Sequence, residues 1–126
     1  MKYQHILLID DDEDDQEIFM TAVKQISGTV RFTGVYDATE ALKNLETKET
    51  VPDVIFPDLK MPVINGQQML TELKKNIELA SIPVIIFSTS SHPPTIQVTK
   101  DLGATDFITK PAKYNELVNL PRPSLG

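Results

Sequence analysis

Ile6-Leu7-Leu8-Ile9-Asp10-Asp11-Asp12-Glu13-Asp14-Asp15 decides the fold: four apolar residues run straight into six acids. A short apolar run without polar alternation is the pattern of a strand buried on both faces, as in a parallel sheet. Acids placed directly behind such a strand lie at the carboxyl edge of the sheet, where α/β proteins place their ligands. These six acids also carry the whole charge imbalance, because the other acids and bases of the chain, whose net charge is −6, balance at 12 each. The same edge is thus a place to hold a divalent cation.

Working outward, apolar runs alternate with helix-period segments. The runs are Ile6 to Ile9, Val30 to Val35, Val54 to Phe56, Val84 to Phe87 and Phe107 to Thr109. Five such alternations imply an α/β fold, a five-stranded parallel sheet with helices on both faces in the flavodoxin-like order 2-1-3-4-5. Ile18, Phe19, Ala22, Val23 and Ile26 recur at helical spacing until Gly28. Asp37 with Glu40 three residues on reads as a capping box ahead of Ala38, Ala41, Leu42 and Leu45. Asn65-Gly66 precedes a helix expected to carry Leu70, Leu73 and Ile77 on one face. The segment after Ser88 is a poor helix former: Pro93-Pro94 opens it, Thr95, Ile96, Val98 and Thr99 are β-branched, and Gly103 stops it. It is expected to be the least stable helix. Tyr114 to Leu120 begins a fifth helix that Pro121 and Pro123 keep short, and residues 121–126 read as a frayed or non-native tail.

The 126 residues, spanning 1–126, are expected to make one domain. No run approaches the roughly 18 apolar residues of a membrane span, and Met1-Lys2-Tyr3-Gln4 does not start a secretion signal, so the expectation is a cytoplasmic protein. With no cysteine, any metal must be held by oxygen. The net charge of −6 repels phosphate backbones, and nucleic-acid binding is not expected.

Residues that follow the strands of a βα repeat share one rim, so Asp10, Asp11, Asp58, Ser88 and Lys110 should converge. Two carboxylates at ~4 to 5 Å repel by roughly 3 to 4 kcal/mol at an effective dielectric near 20, which a hard cation relieves. Mg²⁺ accepts one or two carboxylates and keeps several waters, which suits so sparse a set. At this point the chain resembles the receiver domain of bacterial two-component response regulators, from His5 to about Leu120. The motifs are Asp10-Asp11, Asp58 followed by Met61-Pro62 and Asn65-Gly66, the hydroxyl of Ser88, and Lys110-Pro111.

That resemblance implies a phosphoacceptor switch in which Asp58 takes a phosphoryl group from a sensor histidine kinase or a histidine phosphotransfer protein, with Mg²⁺ as cofactor. Asp11, Asp58 and the backbone carbonyl of Lys60 would ligate the ion, and Asp10 would act through water. Lys110 and Ser88 would contact the phosphoryl group, and Phe107 would be the rotating aromatic of the switch. The Lys110-Pro111 bond would be cis, and Lys60 and Ser90 would flank the path of the hydrolytic water. Phosphorylation would change a face offered to a downstream protein target, on a monomer or weak dimer, with no catalysis beyond the domain's own phosphorylation and dephosphorylation. Pro57 departs from the family pattern: it removes a strand hydrogen bond and holds Phe56 extended.

Two other readings compete. Asp10-x-Asp12 behind a strand resembles the nucleophile motif of haloacid-dehalogenase-type phosphatases, with Asp10 attacking. Asp14 stands where that family has Thr or Val, and Glu116 is the only acid after Lys110, so its late acid pair is missing. The second is a receiver-like interaction module that is never phosphorylated, against which the intact acids, Ser88 and Lys110 argue. An EF-hand is excluded, since it needs Gly at Asp15 and Glu at Thr21. Asp12 to Asp15 are read as the solvated, dipole-favoured start of a helix. His5 and His92 are read as structural or exposed, and Met61 and Met69 as packing residues.

Overall fold

The computed structural model describes residues 4–26, 28–59, 64–88 and 93–109. In chain order the elements are β1 (His5–Ile9), α1 (Glu13–Ile26), β2 (Arg31–Val35), α2 (Ala38–Glu46), β3 (Val54–Pro57), α3 (Gly66–Lys75), β4 (Ile85–Ser88), α4 (Pro93–Asp101) and β5 (Asp106–Thr109). All strand pairs are parallel, in two ladders of order β2-β1-β3 and β4-β5. Among the described residues a single parallel bridge, Ile55 with Val84, joins them, and Ile55 N–H donates to the Pro83 carbonyl at 3.0 Å. The expected order 2-1-3-4-5 is therefore met, with a thin joint in its middle. Pro57 gives the physical reason. Alternate residues of a parallel strand donate to alternate neighbours, so after Ile55 the next donor toward β4 falls at position 57, and proline has none.

Side chains close what the backbone leaves open at that joint. Phe19 of α1 stacks on three strands at once: its ring lies 5.0 Å from Phe56 of β3, 5.1 Å from Phe87 of β4 and 6.0 Å from Phe32 of β2. Tilted and edge-on rings at these separations add attraction beyond the area they bury. Strand alternation sends Ile6, Leu8, Val54, Phe56, Ile85 and Phe87 to the α1 face. Leu7, Ile9, Ile55 and Ile86 go to the opposite face, against Ala41 and Leu45 of α2 and Leu70 and Leu73 of α3. Both faces are thus covered, and β1 is buried completely from Ile6 to Ile9.

Local signals behave as their chemistry requires. Asp37 caps α2, its Oδ1 accepting the N–H groups of Thr39 at 2.7 Å and Glu40 at 3.3 Å. The reciprocal box forms at α3 instead: Asn65 Oδ1 accepts Gln68 N–H, and Gln68 Oε1 accepts Asn65 N–H, each at 2.9 Å. The placing of Ile77 on the α3 face is corrected. The helix ends at Lys75, Asn76 Oδ1 accepts Glu78 N–H at 2.9 Å to turn the chain, and Ile77 is left 93% exposed. Of the nine residues of α4 only Thr99 is buried, in line with its weak helical sequence, and Gly103 ends that unit at φ 106°. His5 is structural, as expected: its ring nitrogens meet the Val51 carbonyl at 3.1 Å and Thr33 Oγ1 at 2.8 Å. Met69 is fully buried. The fifth helix, the tail, Met61 and His92 lie outside the described residues.

Candidate functional site

The carboxyl edge is built by extending two ladders one residue past their strands. Asp10 N–H donates to the Val35 carbonyl at 3.0 Å, and Asp58 N–H donates to the Ile9 carbonyl at 2.9 Å. Each aspartate is therefore anchored by sheet-type bonding at the point where its strand stops. Asp10 is fully buried and Asp58 is 7% exposed, while Asp11, one residue farther along, faces solvent. The carboxylates of Asp10, Asp11 and Asp58 converge, each offering one oxygen within 4.8 Å of the others. Two buried acids and one exposed acid at that spacing fit a single hard cation open to water on one side, as Mg²⁺ requires.

The surrounding backbone is tightly specified. Asp12 N–H donates to Asp10 Oδ1 at 3.0 Å, and Asp12 Oδ1 in turn accepts Asp15 N–H at 3.1 Å at the start of α1. The acidic run thus divides as its position demands, with Asp10 and Asp11 in the cluster and Asp12 to Asp15 opening the helix, where anions are favoured. On the Asp58 side, Gly66 N–H donates to the Leu59 carbonyl at 3.1 Å. A Cβ at Gly66 would stand 2.6 Å from the Asp58 carbonyl oxygen and 2.8 Å from Leu59 Cα, so only glycine lets α3 sit this close to the acid's backbone.

Ser88 ends β4, fully buried, in register with Thr109 of β5. Phe107, half-buried on β5, packs against the α2–α3 face of the core. It also lines a groove of about 260 Å³ between α4 and β5, together with Ile96, Thr99, Lys100, Ala104 and Thr105. Lys60, Ser90, Lys110 and Pro111 lie outside the described residues, as therefore does the expected cis bond. Two residues near the cluster escaped the sequence reading: Gln16, a buried amide on α1, and Gly34 in β2. Their signals were a polar residue on an otherwise apolar helix stripe and a glycine inside a strand.

A parallel α/β sheet carrying an acid cluster at its carboxyl edge defines a class of phosphate- and cation-binding switch domains as well as some phosphatases. The comparisons decide between them. The chain belongs to the response regulator receiver domain family, whose model matches residues 6–121. It is 36% identical to the two-component response regulator ORR8 of Oryza sativa subsp. indica over 122 residues, 97% of this chain and 96% of that one. Among solved structures it resembles the phosphorylated cyanobacterial phytochrome response regulator RcpA, with TM-score 0.85, 29% identity and coverage of 92% of this chain and 86% of that one. The Mn²⁺-bound form of response regulator Rcp1 shares the fold at TM-score 0.85 and 22% identity, over 97% of this chain and 94% of that one. The protein is thus a phosphoacceptor receiver domain of two-component signalling, and the dehalogenase-type reading is not favoured. No helix among the described residues is long and apolar enough to cross a membrane.

Proposed function

We propose that Asp58 is the phosphoacceptor of this receiver domain and that Asp10, Asp11 and Asp58 bind Mg²⁺ for the transfer. The convergence of these carboxylates within 4.8 Å carries the reading. When bound, Mg²⁺ offsets the negative charge that gathers on the transferred phosphoryl oxygens. Asp58 supplies the nucleophile: a carboxylate oxygen forms a bond to phosphorus while the P–N bond of a phosphohistidine donor breaks. The electron pair leaves with the imidazole, which takes up a proton. Asp11 and Asp58, with the Lys60 carbonyl, would hold the ion directly, and Asp10 would act through water. Lys110 and Ser88 balance and orient the phosphoryl group.

The output follows from where stability is lowest. A phosphoryl group on Asp58 adds charge and acceptor oxygens, drawing in Ser88 at the end of β4 and freeing space for Phe107. The α4–β5 groove lies beside Phe107, and α4 is the least buried helix of the described residues. Elements of low local stability are the ones that rearrange. The α4–β5 face is accordingly the surface offered to a downstream protein, with a histidine kinase or phosphotransfer protein as donor.

Incubation with acetyl phosphate and MgCl₂, followed by mapping of the modified residue, tests this reading. Label on Asp58, lost in Asp58→Asn and without Mg²⁺, is the expected result; label on Asp10 would overturn it. Slower amide exchange in residues 93–109 under beryllofluoride is expected as well, and unchanged exchange would remove the assigned output face.

A further inference from the structure

The first turn of α1 carries an amide where its inward stripe is otherwise apolar. Gln16 is 5% exposed and shares the buried side of the helix with Phe19, Ala22 and Val23. Its Nε2 donates to two carbonyls, that of Asp10 at 3.0 Å and that of Val35 at 2.8 Å. The Asp10 N–H meets the same Val35 carbonyl at 3.0 Å. One side chain therefore ties the ends of β1 and β2 to α1 at the residue that begins the acid cluster. Gly34 makes the room: a Cβ there would overlap Gln16 Oε1 and stand 3.0 Å from its Cδ.

We infer that Gln16 is a positioning residue for the carboxylate cluster, holding the Asp10–Asp11 peptide so that both acids stay converged on Asp58, with Gly34 as the gap that admits it. The inference rests on the reading of the cluster as a Mg²⁺ site. The Asp10 carbonyl and the Asp11 N–H belong to one planar peptide, so a bond to that carbonyl fixes the direction in which Asp11 leaves the strand. Like charges crowded without a cation push apart, and Asp11 is exposed and has space to move. Gln16 opposes that relaxation, so the ion meets acids already in place rather than having to gather them. Asp12 N–H on Asp10 Oδ1 secures the neighbouring peptide in the same way.

The test is calorimetric titration of the full chain with MgCl₂, with thermal denaturation alongside, for the wild type, Gln16→Leu, Gly34→Ala and Val23→Ala. Gln16→Leu is expected to weaken Mg²⁺ binding about 10-fold, the low end of the effect of outer-shell partners on metal affinity. Gly34→Ala displaces chiefly the flexible end of Gln16, with a tight 3.2 Å approach to the Phe32 ring, so it should weaken binding comparably, and the double variant should be no worse than either single. Val23→Ala loosens the apolar face of α1 without touching the amide, and should lower the melting temperature while leaving the affinity unchanged. Wild-type affinity in Gln16→Leu overturns the assignment, and so does an equal loss in Val23→Ala, which would mark general loosening of α1. If the wild type binds Mg²⁺ and Asp11→Asn does not, the acid cluster stands whatever Gln16→Leu does. A wild type that takes up no Mg²⁺ overturns the cluster reading and the role of Gln16 with it.

Discussion

The two ladders of the sheet are built to different tolerances. In the β2-β1-β3 ladder every residue of β1 is paired to both neighbours from Ile6 to Ile9, Phe19 of α1 packs on Phe32 of β2 and Phe56 of β3, and all three acids of the cluster sit at its end. In the β4-β5 ladder the strands are four residues each, and the helix between them buries one side chain. The contrast separates two demands. Crowding anions needs a stiff frame, because any slack lets them drift apart. Changing a surface needs an element whose folded form is only slightly favoured.

The contrast can be broken most forcefully at its stiff end. Phe19→Ala removes the ring that touches Phe32, Phe56 and Phe87, and is expected to cost about 3 to 5 kcal/mol in urea denaturation. An equal cost for Ile96→Ala, a half-buried residue of α4, would erase the distinction between the ladders. Gly66→Ala comes next: the added methyl meets the Asp58 and Leu59 backbone rather than a side chain that can swing away. Overpacking of this kind costs about 1 to 3 kcal/mol, and Asp58 should also lose acetyl phosphate labelling rate, since its main chain must shift. Asp37→Ala removes two capping bonds at α2 without altering any of the three clustered acids, and should cost about 1 kcal/mol with no change in labelling. Smallest of all, Val98→Ala on the exposed side of α4 trades a β-branched residue for the best helix former, a gain of a few tenths of a kcal/mol. Slower amide exchange confined to residues 93–101 would sharpen the comparison. Exchange slowed throughout the chain would show that α4 is not a separate weak unit.

Much of this was legible in the residues because the informative signals are local. A strand buried on both faces has no polar interruption, so β1, β3 and β4 announced themselves, and the acid behind β1 and the acid behind β3 followed from the topology. Asp37 and Asn65 were readable as helix starts because capping depends on a few adjacent residues. Ile77 was misread because helical spacing continues smoothly past Lys75, and only the turn at Asn76 takes it out of register. Gln16 was passed over because its partners, the carbonyls of Asp10 and Val35, are main-chain atoms that no side-chain pattern reports. The near-gap between the ladders was half visible in Pro57, whose missing donor could be named but whose direction, toward β4, depends on which neighbour the strand faces.

That proline has a mechanical consequence. Among the described residues the sheet is held at its midline by one backbone bridge, the rings around Phe19 and the buried contact of Ile55 with Val84 and Ile86, so its two halves are joined more by side-chain packing than by main-chain hydrogen bonds.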